Sequence, residues 1–129
     1  MVSMYLLDTN IIIGLLNNDF KIIGRIREEN KIYISVITVG EMLYGANNSI
    51  NKEKNTKLYK DFFETCNIVT ITDKTAEGYA NIRYELKKMG KPIPENDIWI
   101  AAVAREKNMT IVTRDKHLLY VDCIKTEEW

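Results

Sequence analysis

Short apolar runs of strand length alternate along the chain with longer stretches whose apolar residues return at helical spacing. Residues 4–7 read as a buried strand, 9–16 and 20–29 as helices, and 31–35, rich in β-branched and aromatic side chains, as a second strand. Helices follow over 38–46, stopping near Gly45, and over 52–65. Residues 68–71 read as a third strand. The stretch 73–89 carries Ala76, Tyr79, Ile82 and Leu86 at helical spacing and closes at Gly90. A helix over 96–107 has Ile100, Ala101 and Ala104 as its apolar stripe. A fourth strand is predicted at 109–112 and a short edge strand at 121–124.

Strands separated by helices argue for an α/β fold in three layers. Its central, mostly parallel sheet of four or five strands is covered on both faces. No repeat, low-complexity tract or Pro/Gly-rich linker divides the chain, so a single domain over residues 1–129 is expected.

Composition narrows the function classes. With 46% hydrophobic and 28% charged residues the chain is globular. Lys+Arg and Asp+Glu both number 18, which excludes a strongly basic nucleic-acid coat but not a nucleic-acid enzyme with local positive patches or metal ions. No apolar run approaches the roughly 18 residues of a membrane span. The first residues lack the basic start of a signal peptide, and Asp8 interrupts their apolar run. Cys66 and Cys123 are then expected as reduced thiols of a cytoplasmic protein. A single histidine, His117, argues against zinc.

The acidic residues carry the chemistry. In a parallel sheet the ligand crevice lies beyond the carboxyl ends of the strands. Asp8 follows the first strand, and Glu41 falls in the first turn of the helix after the second. Asp115 lies just past the fourth strand. Asp97 opens the helix that leads into that strand. All four are therefore expected at one edge. Each also has a local reading. Asp8 could cap a helix, Thr38 with Glu41 matches a capping box, Asp97 complements a helix dipole, and Asp115 could cap a turn at 116–119. Together they are harder to explain so. Two carboxylates about 5 Å apart at an effective dielectric near 20 repel by roughly 3 kcal/mol. Oxygen ligands alone suit a hard divalent cation, Mg²⁺ or Mn²⁺.

At these residues the chain resembles the PIN-domain ribonucleases, most closely the VapC-type toxins of toxin–antitoxin pairs. The resemblance rests on four segments in register: Tyr5-Leu6-Leu7-Asp8-Thr9-Asn10, the run from Ile34 to Gly45 holding Thr38 and Glu41, the run from Ile93 to Ala102 around Glu95-Asn96-Asp97, and the run from Ile111 to Leu118 around Thr113-Arg114-Asp115. Leu118 departs from the Phe common in relatives.

The resemblance implies a PIN-like fold and a metal-dependent endoribonuclease in which Asp8, Glu41, Asp97 and Asp115 bind Mg²⁺ or Mn²⁺. Asp8 and Asp97 would be the main direct ligands, with Glu41 and Asp115 acting partly through water. Asn10 and Thr113 would orient the acids. Hydrolysis would leave 5′-phosphate and 3′-hydroxyl ends. The resemblance also implies a cognate antitoxin that covers the acidic cleft, and a homodimer. Met42-Leu43-Tyr44 and the following helix to Phe62-Phe63 could serve such contacts or the core.

A neutral protein needs a local basic strip to hold RNA. Arg114 and Lys116 flank Asp115, and Arg83, Lys87, Lys88 and Lys91 form a second set whose plainer reading is a solvated helix face. His117 is expected as a structural or surface residue, and Trp99 in the core or a subunit contact. A haloacid dehalogenase-type phosphatase would need an acid where Asn10 stands. A receiver domain would need its acceptor Asp after the third strand, where only Asp73 follows. A metal-dependent adhesion domain would need hydroxyls where Asn10 and Ile12 stand. A housekeeping RNA-processing nuclease and a non-catalytic RNA-binding scaffold are the nearer alternatives.

Overall fold

The structure, a computed structural model, describes residues 3–28 and 31–129. Five strands, β1 (Tyr5–Leu7), β2 (Ile32–Ser35), β3 (Asn67–Val69), β4 (Thr110–Val112) and β5 (Lys125–Glu127), form one sheet in the order β3-β2-β1-β4-β5. Every neighbouring pair is parallel. Six helices connect them: α1 (Thr9–Leu16), α2 (Phe20–Glu28), α3 (Val36–Asn47), α4 (Lys52–Phe63), α5 (Asp73–Met89) and α6 (Glu95–Lys107). A 3₁₀ turn spans Lys116–Tyr120.

The two-residue period of a strand divides the core. Tyr5 and Leu7 of β1, with Ile34 and Val112, pack beneath α1 to α4 against Ile11, Ile12, Ile22, Met42 and Phe63. Leu6 and Ile111 point to the opposite face, where Ile82, Leu86, Ile100 and Val103 of α5 and α6 cover them. Leu118, wholly buried, anchors the 3₁₀ turn in this second layer. The result is the expected α/β/α sandwich. Met42 and Phe63 belong to the core, whereas Tyr44 is exposed.

Several boundaries move, each for a local reason. Helix α3 begins at Val36, because the Ser35 hydroxyl accepts from the Ile37 N–H at 3.0 Å. Thr38 thus sits inside the helix, no capping box joins it to Glu41, and Glu41 lies in the second turn. The helix also runs through Gly45 to Asn47. The edge strand is Lys125–Glu127, not 121–124. Cys123 takes a left-handed conformation (φ 61°) that breaks the extended run, and Val121 and Ile124 fill the core from a turn. The second helix is described to Glu28, and the expected extension to Glu29 lies outside the described residues. Helix α5 matches its expected bounds and ends on Gly90 at φ 66°.

The chain winds from β1 outward through β2 and β3, then returns to the other side of β1 with β4 and β5. The winding direction reverses between β1 and β4, where an open parallel sheet leaves a crevice at the strands' carboxyl ends.

Candidate metal centre

Asp8 stands at that reversal. Its N–H donates to the Val112 carbonyl at 2.9 Å, extending the β1–β4 pairing by one residue. Its carboxylate caps α1 by accepting from the Thr9 N–H at 2.8 Å. The Thr113 hydroxyl donates to the other carboxylate oxygen at 2.7 Å. That hydroxyl oxygen in turn accepts from the Asp115 N–H at 2.9 Å. One buried hydroxyl thereby joins the residue after β1 to the loop after β4.

Asn10 ties the same loops from the other side. Its amide oxygen accepts from the Arg114 N–H at 3.1 Å, and its amide nitrogen reaches Asp8 and Thr113 at 3.4 Å each. Glu41 arrives from α3 and accepts from the Thr9 hydroxyl at 3.2 Å. Sequence reasoning assigned no role to Thr9. Its place between Asp8 and Asn10 was the available signal.

Asp97 lies in the first turn of α6 and is buried. His117 Nδ1 sits 3.5 Å from its Oδ2 and 3.0 Å from Asp115 Oδ1. Asp115 also caps the 3₁₀ turn, accepting from the His117 N–H at 2.9 Å. Its local capping role and its place beside the other acids hold together.

Electrostatics record the convergence. Burial, followed by the charges of Asp8 and Asp115, pushes the Asp97 pKa up to about 6; nearby His117 opposes this and Glu41 adds to it. Burial also raises the pKa of Asp8, against hydrogen bonds from Thr113 and Thr9. One ligand atom each from Asp97, Asp115 and His117 lies within 4.8 Å of the other two. Bonds of about 2.1 Å to one divalent cation could close that span with small side-chain rotations. A cluster in which burial and neighbouring acids disfavour the charge of Asp97, with its donors already converged, fits such a cation. The tightest grouping joins Asp97 to Asp115 and His117. Asp8 and Glu41 connect through Thr113 and Thr9.

The basic residues divide. Arg114 donates through Nε and Nη2 to the main-chain oxygen of Trp129 at 3.0 and 2.8 Å, and pairs with Asp19 at 3.0 Å. Its guanidinium is therefore held in place. Lys116 is exposed beside the acids. Arg83 and Lys87 line a separate groove of about 360 Å³ with Leu86, Pro92, Ile93, Glu95 and Ile98. Arg83 bonds the Tyr79 hydroxyl at 2.8 Å, and Tyr79 stacks on half-buried Trp99 with ring centres 4.0 Å apart. A second groove, about 550 Å³, runs past Glu41 between Val36, Ile37, Gly40, Tyr44 and Asn96.

Comparison with known proteins agrees with this architecture. A family model described as the PIN domain matches residues 5–122. The chain is 38% identical over 128 residues to ribonuclease VapC2 of Haemophilus influenzae, covering 97% of each. It is 30% identical over 131 residues to the tRNA(fMet)-specific endonuclease VapC of Shigella flexneri, again covering 97% of each. Among solved structures, VapBC2 from Rickettsia felis bound to a DNA fragment of its promoter superposes with a TM-score of 0.91 at 29% identity. That match covers 98% of this chain and 99% of the other.

Proposed function

This chain belongs to the PIN-domain family, and on that premise we propose that it is a metal-dependent endoribonuclease, the toxin of a toxin–antitoxin pair. The observation that carries the reading is the convergence of Asp8, Glu41 and Asp115 on Asp97 at the β1–β4 reversal, with Asp97 held near a pKa of 6 by its burial and then by its acidic neighbours. Similarity over 97% of the chain to a ribonuclease, and over the same share to a chain of a toxin–antitoxin complex from Klebsiella pneumoniae, supports RNA as substrate and an antitoxin as partner. Transfer RNA is the substrate class that one relative's name suggests.

The four carboxylates would hold Mg²⁺ or Mn²⁺. When bound, such an ion supplies Lewis-acid stabilisation of a phosphodiester and an acidified water at neutral pH. The protein's own part is positional. Thr113 and Asn10 fix the Asp8 carboxylate, and Thr9 fixes Glu41. Loosening such supporting contacts costs metal sites about 10- to 100-fold in affinity or activity. Lys116 offers a mobile charge to the RNA backbone beside the acids. Arg114 contributes its charge from a fixed position. Arg83 and Lys87 extend the basic surface along α5. The whole of residues 1–129 is read as one catalytic domain acting on cytoplasmic RNA, and among the described residues no helix is long and apolar enough to cross a membrane.

The test is cleavage of fluorescent RNA substrates, including transfer RNA, with Mg²⁺, with Mn²⁺ and with EDTA. Cleavage that EDTA abolishes is expected, and Asp8→Asn and Asp97→Asn should each lose at least ~100-fold while circular dichroism stays unchanged. Undiminished cleavage in EDTA, or in both variants, overturns the assignment. Growth arrest on expression, relieved by a co-encoded small protein, is expected of a toxin. Light scattering on the purified chain tests the homodimer.

A further inference from the structure

His117 stands outside the oxygen ligand set that the four acids provide, yet its ring nitrogen is part of the tightest donor cluster in the described residues. Nδ1 lies 3.0 Å from Asp115 and 3.5 Å from Asp97, and the three ligand atoms fall within 4.8 Å of one another. The ring is held there from two sides. The backbone N–H of His117 donates to Asp115 Oδ1 at 2.9 Å, and the next residue, Leu118, is wholly buried in the core. The outer edge of the ring meets solvent, since the side chain is about half exposed. With a cation between the ring and the carboxylates, Nδ1 would turn its lone pair to the metal while the solvent-facing Nε2 carries the proton.

We propose that the His117 imidazole is a direct ligand of the cation at this centre, making the donor set nitrogen-plus-oxygen and favouring Mn²⁺ and later first-row metals over Mg²⁺. The proposal rests on the metal-dependent reading above and goes beyond it. Imidazole strengthens binding along the series from Mn²⁺ toward Co²⁺ and Ni²⁺, whereas Mg²⁺ gains little from it. The plain alternative is an Nδ1–H that bridges Asp115 and Asp97 with no contact to metal.

His117 is the only histidine in the sequence, so any imidazole signal at the metal belongs to it. The experiment is pulsed electron paramagnetic resonance of Mn²⁺ bound to the untagged wild-type chain, prepared with natural and with ¹⁵N-labelled histidine. Expected is a directly coordinated nitrogen coupling that changes with the isotope. His117→Ala is expected to lose it and to bind Co²⁺ at least about tenfold more weakly by calorimetry. Bound Mn²⁺ with no isotope-sensitive coupling overturns the histidine ligand and leaves the metal reading standing. Failure of the wild type to bind Mn²⁺ overturns both.

Discussion

Thr113 donates its hydroxyl to the Asp8 carboxylate at 2.7 Å, although 105 residues separate the two in sequence. The same oxygen accepts the Asp115 N–H at 2.9 Å, so this one group serves two of the four acids. The strands carrying them are paired directly, Leu7 opposite Val112, which makes the contact a product of sheet register.

Thr113→Val keeps the shape of the side chain but takes the Asp115 N–H's partner away and leaves the buried Asp8 oxygen only the longer 3.4 Å bond from Asn10. A loss of about 1–3 kcal/mol in stability is expected, together with weaker metal binding. Thr113→Ser, which keeps the hydroxyl, should recover most of both. Urea denaturation of the three proteins checks this; a Val variant as stable as the Ser variant would count against the assigned hydrogen bonds.

Asp97 supplies a pH signature. Its pKa rises from 3.8 to about 6 in the metal-free fold. A carboxyl whose pKa is raised by folding favours the protonated native state. Its contribution to stability is whole below about pH 4 and disappears as pH climbs through 6. The shift corresponds to roughly 3 kcal/mol at most. In EDTA, the wild type should therefore lose stability relative to Asp97→Asn over that window. Mn²⁺ at higher pH should reverse the loss, because the cation binds the native state alone. Parallel pH courses for the two proteins would show that Asp97 is not the group responsible.

Arg114 and Lys116 should separate structure from RNA contact. Arg114→Ala frees the Trp129 oxygen and Asp19 and is expected to cost about 1–3 kcal/mol. Lys116→Ala should change stability by no more than about 0.5 kcal/mol. It should instead lower the slope of log affinity against log salt for single-stranded RNA by about 0.7, the value of one phosphate contact. Fluorescence anisotropy across a salt series, paired with thermal melts, distinguishes the two.

Two left-handed helix ends offer a control remote from the acids. Gly90 closes α5 at φ 66° and Asn108 closes α6 at φ 54°. Gly90→Ala should destabilise by about 1 kcal/mol, while Asn108→Gly should be neutral or stabilise by a few tenths. Cleavage by both should match the wild type in an RNase assay at a temperature where each is fully folded.

The acidic quartet was legible because parallel strands must end at one edge, and the residues just beyond β1 and β4 are Asp8 and Asp115. Helix α5 was equally plain, since its periodicity and Gly90 agree. The start of α3 was hidden by Val36-Ile37-Thr38, a β-branched run that reads as a continuing strand until Ser35 is seen to cap it. Strand β5 was hidden because Lys125, Thr126 and Glu127 carry no apolar pattern; its place is set by backbone pairing to β4. The held guanidinium of Arg114 depends on Asp19 and Trp129, far away in sequence, and no local pattern announces such a partner.

The order in which the ribosome makes this chain has a bearing on when its acidic pocket can close. Asp8 is made 105 residues before its supporting hydroxyl, which belongs with the last acid to the loop after β4. A nascent chain shorter than about residue 115 thus lacks a complete pocket, however well its earlier helices have formed. Ribosome-bound fragments that end before Asp115 should be inert in an RNA cleavage assay.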